Sequence, residues 1–330
     1  MRRREFIGVI GAALVPSLLW PRPARGQHAE KSYRVGYLAL LPGEDGTLEK
    51  LFVLRLQELG YSEGKNLKLE YRSADGRPER LAELAAELMQ ANPDVLVAGF
   101  GTLAAKAAAA ATKTVPIVFT SVGDPVGAGL VTSLAKPGAN VTGLSAQASD
   151  SAAKRFQIME DLIPGDKTIA VLSNPDTPFS ASALRVVRSA AEQGHRPLAV
   201  FAARTPDQVS VGIAAAVKSG AAALLVLEDP LTLGMGRKIA ELVAAARLPT
   251  IYGFRIFPEA GGLMSYGPDQ RQISCRAAEY VDKVLRGARP ADLPVEQPTK
   301  FEFVINMKAA RELGLVLPST MLALADEVIE

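Results

Sequence analysis

One stretch of the sequence, residues 92–129, constrains the fold more than any other. It reads NPDVLVAGFGTLAAKAAAAATKTVPIVFTSVGDPVGAG. The apolar run 94–98 is typical of a buried parallel strand, the alanine-rich run 103–111 is typical of a helix, and 117–120 is typical of a second strand. A strand, helix and strand joined by short connections predict a parallel sheet covered by helices.

The turn between the first strand and the helix is a candidate ligand site. Thr102 occupies the expected N-cap position, so its hydroxyl and the first free N–H groups of the helix would face the carboxyl edge of the sheet. Open α/β sheets bind ligands at that edge, and a helix N-terminus favours anions. The turn therefore predicts a site for a small anion or zwitterion, with simple helix capping as the alternative role of Thr102.

The same alternation of strands and helices continues in two blocks. The first block starts with a strand over 33–40, and the second restarts after a strand over 140–145. A further short helix is expected between Gly127 and Pro137. The predicted fold class is α/β, with two doubly wound parallel-sheet lobes joined by a hinge and a ligand cleft between them.

The N-terminus has the pattern of an export signal. Arginines at positions 2–4 precede an apolar run over 7–20, and Ala24-Arg-Gly26 fits a cleavage site, so residues 1–26 are predicted to be a signal peptide. The order Arg3-Arg-x-Phe-Ile7 resembles a twin-arginine signal but lacks its usual flanking residues, so an ordinary Sec signal stays open. Either signal predicts a periplasmic protein.

Charge and composition exclude several classes of function. The whole chain carries a net charge of +2, but residues 1–26 hold five arginines and one glutamate, which leaves about −2 for the rest. This balance argues against a nucleic-acid partner. Cys275 is the only cysteine, and His28 and His195 are the only histidines. We therefore expect no disulfide, no metal site and no Ser-His triad.

An exported Rossmann-type, dinucleotide-dependent oxidoreductase is the alternative function. Residues 99–104, GFGTLA, match the G-x-G-x-x-A fingerprint between a strand and a helix. That fingerprint normally belongs to the first strand–helix unit, and no acidic residue ends the strand at Thr120 to bind a ribose. The favoured prediction is therefore a binding protein that is not an enzyme and has no cofactor.

Several longer phrases resemble a known family. They are VF at 118–119, VGDPVG at 122–127, LAKPG at 134–138, NVTG at 140–143, GGLMSYGP at 261–268, FEFVIN at 301–306 and ARELG at 310–314. In this order they resemble the extracytoplasmic substrate-binding proteins of ABC importers, in the branch of tryptophan- and tyrosine-type binding proteins. The resemblance covers essentially the whole chain after the predicted signal peptide.

The resemblance implies a type I periplasmic-binding-protein fold in which the chain crosses between lobes three times. We place the crossings near Ser145, Tyr266 and Thr299. Lobe one would comprise 33–144 plus 268–297, and lobe two 146–265 plus 300–330. Periodicity alone does not give this discontinuous division.

The resemblance also implies a function and a set of ligand residues. The protein would be a monomer that binds a small carboxylate-bearing ligand, either an amino acid or an aromatic acid, and delivers it to an ABC permease with its ATPase. A sensor with the same fold is equally compatible with the sequence. Residues 41–46, LPGEDG, replace the histidine-and-proline loop expected in the tryptophan-type branch. The predicted ligand residues are Thr102, Ser121, Asp124, Asn174, Asp229 and Tyr252. The alternative roles are ordinary turns for Asp124-Pro and Asn174-Pro, a helix start for Asp229-Pro, and a place in the pocket wall for Tyr252.

Overall fold

The computed structural model describes residues 31–41, 47–146 and 148–330. Residues 32–330 form one compact unit. The predicted signal peptide and most of the 41–46 loop lie outside the described residues. Within them, no helix is both long enough and apolar enough to cross a membrane.

The first sheet is entirely parallel, in the order β2-β1-β3-β4-β5. It is built with three interleaved helices. The elements are β1 (Tyr33–Ala39), α1 (Thr47–Glu58), β2 (Leu67–Ser73), α2 (Leu81–Gln90), β3 (Val95–Gly99), α3 (Thr102–Ala111), β4 (Ile117–Val122) and β5 (Val141–Ser145). Buried residues on both faces explain why β3 and β4 read as continuous apolar runs.

The second sheet has the order β12-β11-β10-β9-β8-β6-β7, and only the β10–β11 pair is antiparallel. Its elements in chain order are α4 (Ala148–Leu162), β6 (Ile169–Ser173), α5 (Pro178–Gln193), β7 (Leu198–Ala202), α6 (Pro206–Lys218), β8 (Ala223–Val226), α7 (Pro230–Gly234), α8 (Gly236–Ala245), β9 (Thr250–Tyr252), α9 (Ile256–Glu259), β10 (Met264–Pro268), α10 (Gln270–Leu285), β11 (Phe301–Asn306), α11 (Met307–Leu313), α12 (Ser319–Leu324) and β12 (Glu327–Ile329).

Helices cover both faces of each sheet, which gives four apolar cores. In the first sheet, α2 and α3 pack on one face and α1 and α10 on the other. In the second sheet, α4, α5 and α11 pack on one face, and α6 and α8 on the other. Each sheet is thus a doubly wound layer of the predicted kind.

The chain passes between the two sheets more than once. It leaves the first sheet after β5, and α10 returns to that sheet although the strands on either side of it, β10 and β11, pair in the second sheet. The division into lobes 33–144 plus 268–297 and 146–265 plus 300–330 remains a proposal. The two halves are called lobe one and lobe two.

One local expectation was wrong, and three short elements were not expected. No helix forms between Gly127 and Pro137, because prolines and glycines with positive φ, among them Gly129 and Gly138, hold the segment in turns. A short helix, α7, precedes α8 and is separated from it by Met235. The Pro318 turn is followed by α12 and an added edge strand, β12, which the sequence pattern did not indicate.

Candidate ligand-binding site

A small pocket lies where the carboxyl ends of strands from both sheets meet. Its cavity volume is about 60 Å³. From lobe one it is lined by Leu40, Phe100, Gly101, Thr102, Leu103, Ser121, Gly123 and Ala146, and from lobe two by Thr177, Phe179, Glu228, Asp229, Pro230 and Phe254. Its position between two sheet edges is where ligands bind in open α/β proteins.

Side chains from the two lobes touch across this pocket. The rings of Phe100 and Phe254 meet edge to face, with centroids 5.4 Å apart and an angle of 66° between the planes. The ring of Phe179 lies so close to Gly123 that no side chain would fit there. Residues of both halves therefore meet at the pocket, and aromatic side chains form part of its wall.

The N-terminus of α3 points its free donors toward the pocket. Thr102 is the first residue of the helix and not its N-cap, which corrects the sequence-based expectation. Gly101 takes the N-cap position because its φ of 106° is accessible only to glycine without strain. No side chain of the described residues caps α3. Its first N–H groups and the Thr102 hydroxyl are therefore available to an anion.

Two residues beside the α3 N-terminus adopt strained backbone conformations. Phe100 and Ser121 have φ values of 49° and 53°, a region that costs a non-glycine residue roughly 1–3 kcal/mol. The Phe100 N–H donates to Oγ1 of Thr120 at 2.7 Å, and the Gly101 N–H donates to the Thr120 carbonyl at 3.1 Å. Thr120 thus holds the turn that brings Phe100 to the cleft.

Asp229 supplies an incompletely satisfied carboxylate on the opposite wall. It follows β8 and caps α7, and its Oδ1 accepts from the Leu231 N–H at 2.8 Å and from Nδ2 of Asn174 at 3.1 Å. Its Oδ2 is buried and has no hydrogen-bond partner among the described residues. Burial raises the pKa of Asp229 above its ordinary value of 3.8, against the opposing effects of the Asn174 and Thr177 side chains and the Leu231 N–H. A cationic group of a ligand would satisfy this oxygen.

The neighbouring carboxylate, Glu228, is already paired. Arg155 of α4 is fully buried, and its Nη2 donates to Oε2 of Glu228 at 2.5 Å. Its Nη1 lies 2.5 Å from the other Glu228 oxygen and donates to the Tyr266 carbonyl at 2.9 Å. The charge of Glu228 is therefore balanced inside lobe two, which leaves Asp229 as the pocket carboxylate without a cationic partner among the described residues.

Three of the six predicted ligand residues line the pocket, namely Thr102, Ser121 and Asp229. Asn174 is not among the lining residues, but its Nδ2 donates a hydrogen bond to Oδ1 of Asp229. Asp124 is exposed and accepts from the Gly127 N–H at 2.8 Å, which is an ordinary turn contact. Tyr252 is fully buried and stacks on Phe257 with a centroid distance of 4.3 Å. The roles of all six residues in ligand binding remain predictions.

Sequence reasoning missed the phenylalanines of the pocket. Phe100, Phe179 and Phe254 each follow the carboxyl end of a strand by one to six residues. Their common position after strands was a usable signal, since those loops converge at one sheet edge. Arg155 gave no such signal, because it looks like any other basic residue on an amphipathic helix.

The comparisons with known proteins decide the family. The family model described as "ABC transporter substrate binding protein" matches residues 47–329. The chain belongs to this family. A curated relative of this substrate-binding protein, a tyrosine-binding protein of Clostridioides difficile, is 28% identical over 286 residues, which is 87% of this chain and 81% of the relative.

Solved structures agree with this assignment. A conserved domain protein from Vibrio cholerae has a TM-score of 0.85 and 31% identity over 90% of this chain and 100% of its own. An ABC domain from Streptococcus pneumoniae in complex with L-Trp has a TM-score of 0.84 and 27% identity over 91% of this chain and 100% of its own.

A more distant solute-binding protein from Agrobacterium vitis, at 15% identity and a TM-score of 0.61, shares the fold. The type I periplasmic-binding-protein fold is thus confirmed. The family is one of binding proteins that serve transport, and the oxidoreductase alternative has no support.

Proposed function

We propose that this substrate-binding protein captures an aromatic L-amino acid in the cleft between its lobes and delivers it to an ABC permease with its ATPase. The observation that carries the proposal is a match of three ligand groups to three parts of one pocket. The parts are the uncapped α3 N-terminus, the free oxygen of Asp229 and the three phenylalanines.

The carboxylate of the ligand would bind at the lobe-one wall. The first N–H groups of α3 form a natural anion site, and the hydroxyls of Thr102 and Ser121 add two donors at the same wall. Among the residues that the structure describes, no basic side chain lines the pocket. Recognition of the carboxylate would thus rest on the helix N-terminus and the two hydroxyls.

The ammonium group would bind at the lobe-two wall. The Oδ2 atom of Asp229 is buried without a partner, and leaving such an oxygen unpaired costs about 1–3 kcal/mol, more when it is charged. An ammonium would supply the missing hydrogen bond and a balancing charge. The pocket therefore favours a zwitterion over a simple acid.

The apolar part of the ligand would lie among Phe100, Phe179 and Phe254. Aromatic pairs add about 0.5–1.5 kcal/mol beyond the burial of their surface. Two similar proteins are consistent with this class of ligand, since one is named a tyrosine-binding protein and another was solved with L-Trp. The closed pocket of about 60 Å³ would have to enlarge around such a ligand, which requires opening of the lobes.

A set of fragments of one ligand tests the proposal. Calorimetry would compare L-tryptophan with tryptamine, which lacks the carboxylate, and with indole-3-propionic acid, which lacks the ammonium. L-Tyrosine and L-phenylalanine test the ring. We expect L-tryptophan or L-tyrosine to bind, and each truncated compound to bind at least roughly tenfold more weakly, the ratio that corresponds to about 1.4 kcal/mol. Indole-3-propionic acid binding as tightly as L-tryptophan would exclude a role for Asp229.

The family together with the N-terminal sequence supports the proposal of a periplasmic location. Substrate-binding proteins of ABC transporters act outside the cytoplasm. Residues 1–26 would direct export, by the twin-arginine or the Sec route, and the mature protein would act as a periplasmic monomer. Replacing Arg3 and Arg4 by lysine should block a twin-arginine signal and spare a Sec signal, which fractionation of cells would distinguish.

A further inference from the structure

We propose that Gly123 determines how far the two lobes close, because the absence of a side chain there makes room for Phe179 of the opposite lobe. Both residues line the pocket, so the same contact limits the space available to a ligand. The inference rests on the proposed binding function, in which the lobes close on a solute.

The contact leaves no room for a methyl group. Gly123 follows directly after β4, and Phe179 is the second residue of α5. A Cβ atom at Gly123 would overlap Cδ2 of Phe179 and lie 3.1 Å from its Cε2 and Cγ atoms. Gly123 is not among the glycines with positive φ, so its backbone would accept alanine. The obstacle to a side chain is therefore the opposite lobe and not the local conformation.

The ring of Phe179 cannot simply move away without loss. It packs against the apolar core of lobe two formed by α4, α5 and the second sheet. Displacing it from that core would cost part of its buried surface. A small opening of the lobes removes the overlap instead, because the two residues belong to different lobes and the pocket lies between them.

A comparison with Gly99 shows why a side chain at Gly123 would affect lobe closure and not the fold of one lobe. A Cβ atom at Gly99 would lie 2.7 Å from Cζ of Tyr37, but Gly99 and Tyr37 belong to neighbouring strands of the same sheet. Alanine at Gly99 would strain lobe one itself. Alanine at Gly123 would leave each lobe intact and change only their approach.

The degree of closure decides which contacts a ligand can make. With glycine at 123, Phe179 reaches across to lobe one and completes the pocket wall. With alanine there, the lobes would stop short of full closure. A ligand held by Thr102 from one side and Asp229 from the other would then lose one of the two sets of contacts.

Distances between the lobes test the proposal directly. Spin labels would be attached to cysteines at Glu83 and Asp207, which are exposed near the cleft-side ends of α2 and α6, in a background with Cys275→Ser. Pulsed electron paramagnetic resonance would record the distance distribution with and without L-tryptophan or L-tyrosine. The shortest distance populated by the parent protein should disappear in Gly123→Ala and return in Gly123→Ala/Phe179→Ala.

A matched glycine serves as the control. Alanine at Gly236 meets only Cε1 and Cδ1 of Phe257, at 3.7 and 3.9 Å, within lobe two. Gly236→Ala should therefore keep the parent distribution. The ligand-free melting temperature of Gly123→Ala should match that of the parent protein, and its affinity for the bound amino acid should fall at least roughly tenfold, as expected when overpacking must be relieved.

The outcomes separate the two proposals. The role of Gly123 would be overturned if Gly123→Ala populates the shortest distance between the labels that the parent protein populates. It would also be overturned if the parent protein never populates a shorter distance than the variant. If the parent populates the short distance and Gly123→Ala does not, the role of Gly123 holds. This is true even if neither amino acid changes the distance distribution. A distribution that neither amino acid changes would instead contradict the proposed ligand.

Discussion

At the scale of single residues, the two walls of the pocket offer opposite chemistry. Thr102 and the α3 N-terminus present donors from lobe one, and Asp229 presents a free acceptor from lobe two. This polarity fixes the orientation of a zwitterion. Each wall can be tested separately, because the two residues belong to different lobes.

Thr102→Ala should weaken binding of L-tryptophan. Loss of the hydroxyl leaves part of the ligand carboxylate unpaired in a buried site, which costs about 1–3 kcal/mol. Thr102→Ser should retain most of the affinity, and Asp124→Asn, an exposed change in the same lobe, should retain all of it. Calorimetry checks all three, and an unchanged affinity for Thr102→Ala would remove this hydroxyl from the site.

Binding should release a proton in the pH range of the raised pKa of Asp229. Burial raises the pKa of Asp229 in the free protein, and the ammonium of a ligand would lower it again by stabilising the charged form. Affinity should therefore fall as the pH drops through the raised pKa of the free protein. Calorimetry in buffers of different ionisation enthalpy measures the released proton.

The raised pKa of Asp229 also affects the stability of the ligand-free fold, with a pH dependence opposite in sign to that of ligand affinity. The folded state binds the proton more tightly than the unfolded state, so the free energy of unfolding should fall as the pH rises through the pKa of Asp229. Two other acidic groups act near this site, namely Asp176 and the ion-paired Glu228. Asp229→Asn should abolish both pH effects, and their persistence in that variant would assign them to a different group.

At the scale of elements, close packing between strands makes one glycine indispensable. A Cβ atom at Gly143 of β5 would overlap the carbonyl oxygen of Phe119 in β4 and lie 2.7 Å from its nitrogen, at a φ of 151°. Gly143→Ala should lower the free energy of unfolding by about 3 kcal/mol or more, through strain and lost strand pairing. Urea denaturation measures this loss, and Gly236→Ala should show no comparable one.

The buried ion pair is the second element-scale test, because it ties α4 to the end of β8 and to β10. Arg155→Met would leave Glu228 buried without its partner, which typically costs about 3–5 kcal/mol of folding free energy. Adding Glu228→Gln should restore a large part of that loss. Equal instability of the single and double variants would show that packing of Arg155, and not its charge, is what matters.

The elements themselves were largely predictable from periodicity. The strands at 95–99 and 117–122 and the helix between them follow from apolar runs and alanine content, which are local properties. The return of α10 to the first sheet is not local, and only the family resemblance suggested it. The pocket was half predictable, since polar residues after strands are visible in sequence but the contact of Phe179 with Gly123 depends on how two lobes meet.

At the scale of the whole molecule, contacts within a lobe and contacts between lobes should stabilise different processes. Tyr252 and Phe257 stack inside lobe two, whereas Phe100 and Phe254 meet across the cleft. The first contact exists whenever lobe two is folded. The second exists only when the lobes are closed, so its energy contributes to closure and to ligand binding.

Double-mutant cycles to alanine on the two pairs should therefore give opposite results. We expect a coupling energy of about 0.5–1.5 kcal/mol for each pair. For Tyr252 and Phe257 it should appear in the free energy of unfolding of the ligand-free protein and be absent from ligand affinity. For Phe100 and Phe254 it should appear in the affinity for L-tryptophan and be absent from ligand-free unfolding. If the coupling of Phe100 with Phe254 appears only in the free energy of unfolding, the lobes stay closed without ligand. If the coupling of Tyr252 with Phe257 appears in ligand affinity, that result would support the predicted role of Tyr252 at the site.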